Sequence, residues 1–184
     1  MQAVSASPTD ELAAWLALEQ QVRARIDAGL GPGVTPPHEA IAIDGLTLMQ
    51  RMLAGEVHYP PIARTLSFVV VEVAHGRAVF QGEPKEEHLN PLGSVHGGWF
   101  ATLLDSALGC AVHTALPAGR AYTTAEISVR MVRAITPKLQ RVRAIGQTLH
   151  VGRQLATAEA RLVGPDGTLY AHGSTTCLVF DARR

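Results

Sequence analysis

"FATLLDSALGCAVHTAL", residues 100–116, is apolar on nearly every face of a helix yet carries one carboxylate, Asp105. A surface helix keeps a broad polar face. This stretch has too few polar residues for one, so it reads as the buried centre of its fold. A carboxylate without compensation in such a place needs partners, a raised pKa or a water-filled pocket. Asp105 therefore reads in one of two ways: as a structural aspartate bonded to a neighbouring strand, or as a general base or nucleophile in a cleft.

The segments on either side set the architecture. Upstream, "LSFVVVEVAHG" and "RAVFQGEP" read as two strands joined by a turn at His75-Gly76. The helix is expected at about 97–115. Downstream the pattern changes to four strands. In "AYTTAEISVRMVRAI" the alternation puts Ala125, Ile127, Val129 and Met131 on one face and Thr124, Glu126, Ser128 and Arg130 on the other. "LQRVRAIGQTLHVG" and "RQLATAEARLV" are long strands, "GPDG" (164–167) is a turn, and "TLYAHGSTTCLVFD" follows it. Strands that do not alternate with helices indicate an α+β fold, and an antiparallel sheet with one apolar face needs a cover. The sheet is expected to wrap around the apolar helix.

Ahead of this unit, residues 8–30 read as a helix capped by Ser7, with Pro8 at its first position and Asp10 and Glu11 at its positive end. Its stripe is Leu12, Trp15, Leu16, Val22 and Ile26. "GLGPGVTPP" (29–37) is a linker. A short helix is expected at about 45–54, capped by Asp44 and stopped by Gly55, with "YPPIARTL" leading into the strands. The chain thus divides into an N-terminal helical extension and linker, 1–44, and a domain, 45–184.

Composition excludes several classes. The 184 residues suit one domain plus an extension. Acidic and basic residues balance at 16 each, which gives no ground for a nucleic-acid partner or an anionic membrane surface. Asp105 and His113 interrupt the best apolar run before it reaches the ~18–20 residues a span requires. "MQAVSASPTDELAAW" has no basic region followed by an apolar run, so the expected location is the cytoplasm. Cys110 and Cys177 stand alone in apolar surroundings and read as packed, reduced thiols.

The lead-in to the helix is "HLNPLGSVHGGW", residues 88–99. Ser94 and Ser106 lack the nucleophile-elbow spacing, and His88, His96 and His113 are too scattered for a metal site. No metal or cofactor is expected. Gly97 and Gly98 either make a tight strand-to-helix turn or let a ligand approach the unpaired N–H groups at the positive end of the helix. Such a site can polarise a carbonyl or hold an oxyanion. Gly97 and Asp105 lie eight residues apart, about 12 Å along a helix at ~1.5 Å per residue. One small carbonyl cannot touch both within a single chain. If they cooperate, the amide and the carboxylate come from different subunits of a two-fold dimer.

With these residues in view, "HLNPLGSVHGGWFATLLDSALG" resembles the signature of hotdog-fold acyl-CoA thioesterases of the phenylacetate-pathway (PaaI-like) type: Asn90, Gly93, His96, Gly97 and Gly98, then a helical Asp105 nine residues after the His. The resemblance covers about 45 to 181. It implies a curved antiparallel sheet around one central helix, assembled as a homodimer or a dimer of dimers, and hydrolysis of an acyl-CoA thioester. Asp105 is implied as the base or nucleophile and the Gly97 N–H as the group that polarises the carbonyl. His96 and Asn90 are implied to shape the site, with Asn90 orienting the water or the carboxylate, and Thr124 to hydrogen-bond the attacking water. One departure is visible: where some relatives carry a hydroxyl one turn after the carboxylate, this chain has Gly109.

Gly98 is expected to bind the substrate. Coenzyme A phosphates call for arginine at the pocket mouth, with Arg130 and Arg153 chosen from a set that also holds Arg133, Lys138, Arg141 and Arg143. Trp99, Phe100 and Met131 are expected as acyl-pocket walls, and Glu126 as a structural carboxylate on a polar face. Two other functions compete. A non-catalytic acyl-CoA binder would use the same pocket but would not require Asp105. A hotdog hydratase would use a different Asp/His arrangement.

Overall fold

The structure is a computed structural model and describes residues 7–182. Part of the opening stretch read above for a leader lies outside the described residues. Among the described residues five α-helices, one short 3-10 helix (Glu86–His88, between β2 and α5) and six strands follow in order: α1 (Pro8–Ala28), α2 (Pro37–Ala40), α3 (Gly45–Ala54), α4 (Pro61–Thr65), β1 (Phe68–Ala74), β2 (Arg77–Gly82), α5 (Gly97–His113), β3 (Arg120–Met131), β4 (Val142–Val151), β5 (Leu155–Val163) and β6 (Leu169–Asp181). The strands form one wholly antiparallel sheet in the order β1-β2-β4-β5-β6-β3.

Local chemistry explains most boundaries. Ser7 Oγ accepts from the Asp10 N–H, and Pro8 opens α1. Asp44 caps α3 through the Thr47 N–H, and Gly55 ends it in the left-handed conformation, φ 78°. A two-residue loop, His75-Gly76, joins β1 to β2, with Ala74 paired to Arg77. Two short helices, α2 and α4, were not expected. Each begins at a proline (Pro37, Pro61) that follows another proline in extended backbone. The expected linker and strand lead-in hid these single turns.

α5 lies on the inner face of the sheet. Leu103, Leu104, Ala107, Leu108, Ala111 and Val112 are buried, and glycines bring the helix close. A Cβ on Gly146 would lie 2.2 Å from the Ala107 carbonyl oxygen, so only glycine fits there. The wrapping is incomplete. Gly98, Ala101, Thr102, Asp105, Ser106, Cys110 and His113 stay partly or fully exposed, and they form one stripe along the helix.

α1 packs on the outer face, through Trp15, Val22 and Ile26. Glu19 lies on the same stripe and is buried. It accepts from Arg141 Nε (2.6 Å), Arg23 Nε (2.7 Å) and Gln81 Nε2 (2.7 Å). Burial pushes the Glu19 carboxyl up, but these hydrogen bonds outweigh it and hold its pKa below the usual value. Arg143 donates to Gln81 and Glu72, and its guanidinium lies 4.4 Å from the centre of the Trp15 ring. Arg141 and Arg143, members of the set from which coenzyme contacts were drawn, are fastened between α1 and the sheet.

β3 is one of the two edge strands, and it corrects the expected alternation. A bulge falls between Thr124 and Glu126. Before it, Tyr122 and Thr124 face the same way as Val179 and Cys177 of β6. After it, Ile127, Val129 and Met131 pair with Thr175, Gly173 and Ala171, which face that same inner side. One extra residue, Ala125, thus puts Thr124 on the face of Ile127 rather than opposite it. Thr175 Oγ1 donates to the Glu126 carbonyl oxygen (2.8 Å) and fastens the bulge.

Candidate active site

The start of α5 is built by its own lead-in. Asn90 Oδ1 accepts from the N–H groups of Leu92 (2.9 Å) and Ser94 (3.3 Å), and its Nδ2 donates to Ser94 Oγ (2.9 Å). Gly93 takes φ 81°, which closes this loop. Val95 N–H then donates to the Ile135 carbonyl, and His96 N–H to the His88 carbonyl, tying the loop to the sheet side and to the turn beneath it.

His96 is the N-cap. Its Nδ1 accepts from Gly98 N–H at 2.9 Å, and its carbonyl accepts from Trp99 N–H at 3.0 Å. A Cβ on Gly98 would meet His96 Nδ1 at 3.0 Å, so the glycine lets the ring fold onto the helix end. Among the described residues the Gly97 N–H has no acceptor. Of the first three helix amides it alone is unspent, and it lies at the positive end of α5.

Gly97 lines a groove of about 320 Å³ with Asn90, Ser94, Val95, Phe100, Met131 and Arg133 among its walls. A Cβ on Gly97 would touch the tip of Met131 at 2.9 Å, so the groove is narrow there. Phe100 and Met131 line it as expected. Trp99 does not: its ring turns inward, stacks on His88 at 5.6 Å between centroids, and its Nε1 donates to the Leu66 carbonyl (2.9 Å). Position i+1 from Gly98 points Trp99 away from the exposed stripe.

Asp105 lies two turns further along, half-buried, on that stripe. Thr124 Oγ1 donates to its Oδ1 at 3.1 Å. The β3 bulge is what aims Thr124 there. Thr124 stands opposite Cys177, and the negative charge of Asp105 reaches the surrounding thiols: burial first, then Asp105, pushes Cys110 up to about 12, and the same two influences raise Cys177. Both cysteines are free and neutral at ordinary pH.

The structure therefore gathers the candidate residues into two groups and keeps the groups apart in one chain. Asn90 and Gly97 line the groove, His96 and Gly98 pair beside it at the helix start, and Asp105 meets Thr124 about 12 Å away by helical rise. Arg130 is exposed on the outer face of β3, where its Nη1 donates to Ser128 Oγ (3.3 Å). Arg153 is exposed in the β4–β5 turn, its carbonyl accepting from Arg120. Neither lines the groove; Arg133 does. A larger cavity of about 440 Å³ lies between α1 and β1, lined by Arg23, Tyr59, Arg64 and Ser67, and includes none of these site residues. Among the described residues no helix is long and apolar enough to cross a membrane.

Residues 92–171 match the family described as the thioesterase superfamily. A solved protein from that superfamily is 35% identical, with 64% of this chain covering 88% of it at a TM-score of 0.56. This chain belongs to the thioesterase superfamily. Its hotdog fold is of the PaaI-like type. The phenylacetic acid degradation protein PaaI of Thermus thermophilus, solved as a mutant, is 28% identical, with 64% of this chain covering 97% of it at a TM-score of 0.58. A phenylacetic acid degradation-related protein of Ralstonia eutropha is 27% identical, with 70% of this chain covering 97% of it at a TM-score of 0.64. No curated protein matches the chain. The superfamily's chemistry is thioester hydrolysis.

Proposed function

We propose that the protein hydrolyses an acyl-CoA thioester, with Asp105 as the base and the Gly97 N–H as the oxyanion donor, each site built from two subunits. The observation that carries this reading is the unspent Gly97 amide on the groove, on the same helix as a carboxylate steadied by Thr124. The amide would accept charge from the thioester carbonyl as it becomes tetrahedral. Thr124 holds one carboxylate oxygen and leaves the other for a water. That oxygen takes the water's proton as the water attacks the carbonyl carbon. Collapse of the oxyanion then expels the coenzyme thiolate, which takes up a proton and leaves the free acid.

Neither half can do this alone, and the fold supports where a second copy would join. β3 is an edge strand with unpaired backbone groups, and Ile127 and Met131 on its inner side are 36% and 50% exposed. A two-fold partner along β3 with its α5 antiparallel would set each Gly97 near the other chain's Asp105. Arg130, Arg133 and Arg153, all exposed, are the candidates for the coenzyme phosphates.

The test is release of free thiol from a panel of acyl-CoAs by the wild type and by Asp105→Asn, with folding checked by circular dichroism. The expected result is turnover of at least one acyl-CoA and a loss of about 10²–10⁴ in kcat for the variant. Binding of acyl-CoA without turnover would make the protein a non-catalytic binder. A folded Asp105→Asn that keeps most of its turnover would move the chemistry to another group.

A further inference from the structure

One turn after Asp105, Gly109 gives α5 no side chain, and the space above it is taken by Tyr122 of β3. A Cβ on Gly109 would lie 2.8 Å from the Tyr122 hydroxyl oxygen and 3.0 Å from its Cε2. The phenol therefore lies directly on the helix, and glycine is what admits it. Tyr122 stands two residues before Thr124, ahead of the bulge, so both hydroxyls face α5. Its ring rests against His113, 5.5 Å between centroids. Cys110 is within hydrogen-bonding reach of its hydroxyl. A thiol is a weak partner, so the hydroxyl keeps capacity for a stronger one.

The strongest acceptor nearby is Asp105. Four residues separate it from Gly109, about 6 Å along the helix at ~1.5 Å per residue, a gap that one water bridges. The charge of Asp105 is felt at the phenol. We infer that Tyr122 is a positioning residue: its hydroxyl holds, against the carboxylate oxygen that Thr124 leaves free, the water that Asp105 deprotonates. This rests on the reading of Asp105 as the base. Burial first, then the neighbouring thiols and the Asp105 charge, raises the Tyr122 pKa well above 10. The phenol thus keeps its proton while the water's proton passes to Asp105.

The test compares Tyr122→Phe, Asp105→Asn and the double variant Tyr122→Leu/Gly109→Ser with wild type, on the full chain and its best acyl-CoA substrate. Phenylalanine keeps the ring against Gly109 and His113 and removes only the hydroxyl. The expected result is a fall of about tenfold in kcat with KM within about twofold of wild type, the scale of one lost hydrogen bond in the transition state. The double variant returns a hydroxyl to the same place from the helix, and part of the lost kcat should return with it. Wild-type kcat in a folded Tyr122→Phe, or a rise in KM alone, overturns the inference; if Asp105→Asn is inactive in the same series, the base assignment stands without it. An active Asp105→Asn would overturn the base assignment, and the water-positioning role with it.

Discussion

Two inactive proteins should make an active one. Asp105→Asn removes the base but keeps the size of the side chain, and Gly97→Pro removes the one free amide at the start of α5. The proline is compatible with the backbone it enters. Gly97 is the first helical residue, where the N–H has no intrahelical partner, and His96 before it sits at φ −62° and ψ 138°, the extended region that a following proline demands. The added Cβ meets only the flexible end of Met131. Each homodimer should retain about 1% of wild-type kcat or less, since loss of a base or of an oxyanion donor costs about 10²–10³. In a heterodimer one shared site carries both defects and the other carries neither. Heterodimers purified through two different tags should therefore show about half of the wild-type activity, and an unpurified equal mixture after random exchange about a quarter. Gly97→Ala, which keeps the N–H and makes the same contact with Met131, separates crowding from loss of the donor. Heterodimers no more active than the mean of their parents would refute the shared site. So would a fully active monomer in analytical ultracentrifugation.

Two further outcomes concern stability. Glu19→Gln should lower Tm by about 4–8 °C, because it removes the shorter of the two carboxylate contacts of Arg141 in a buried network and leaves only Glu83, 3.4 Å away, at about 2 kcal/mol, and each kcal/mol moves a domain of this size by about 2–4 °C; a change under about 1 °C would mean that the network is effectively solvated. Burial lowers the pKa of His88 and of His113, the latter despite the opposing pull of Asp44. Below their ordinary value near 6.5 the unfolded chain then binds more protons than the folded one, so stability is greatest above that pH and falls on acidification toward the folded-state pKa values. Thermal melts from pH 8 to 5 should show a falling Tm, and a flat or rising one would contradict the buried, neutral imidazoles.

The strand count, the central helix and the caps of α1 and α3 were legible because they rest on local signals: period-two alternation, proline and glycine at fixed positions, and Ser7 and Asp44 at the starts of those two helices. The faces of β3 were not. Ala125 is an ordinary strand residue, and nothing in "YTTAEIS" marks it as the extra residue of a bulge; the bulge is set by pairing with β6, in particular Thr175 on the Glu126 carbonyl. That pairing is also what turns Thr124 toward Asp105. Glu19 had a visible signal that was passed over. It falls between Trp15 and Val22 at helical spacing, on the stripe that α1 buries, so a partner for it was required. Its partner Arg141 lies 122 residues away, beyond the reach of periodicity. Trp99 was misjudged because it adjoins two site glycines in sequence, while a helix sends successive residues about 100° apart.

The two edges of the sheet are treated differently, and this bears on the proposed sharing. At β1 the chain supplies its own cover: α1, α3 and α4 all pack against that strand. Among the described residues β3 is left as an edge strand whose inner Ile127 and Met131 are exposed. The uncovered stripe of α5 runs past both half-sites. An exposed amide with no base polarises a carbonyl that nothing attacks. A carboxylate with no oxyanion donor activates a water that has nothing to attack. Within one chain the distance between them is fixed by eight residues of a buried helix, and no rotamer change closes about 12 Å. Closing it by bending α5 would break the contacts that Gly146 and Ala107 make at the centre of the fold. A second helix laid antiparallel on the uncovered stripe closes it twice with no bending, which is why the proposal places the second copy at β3 and not against the extension.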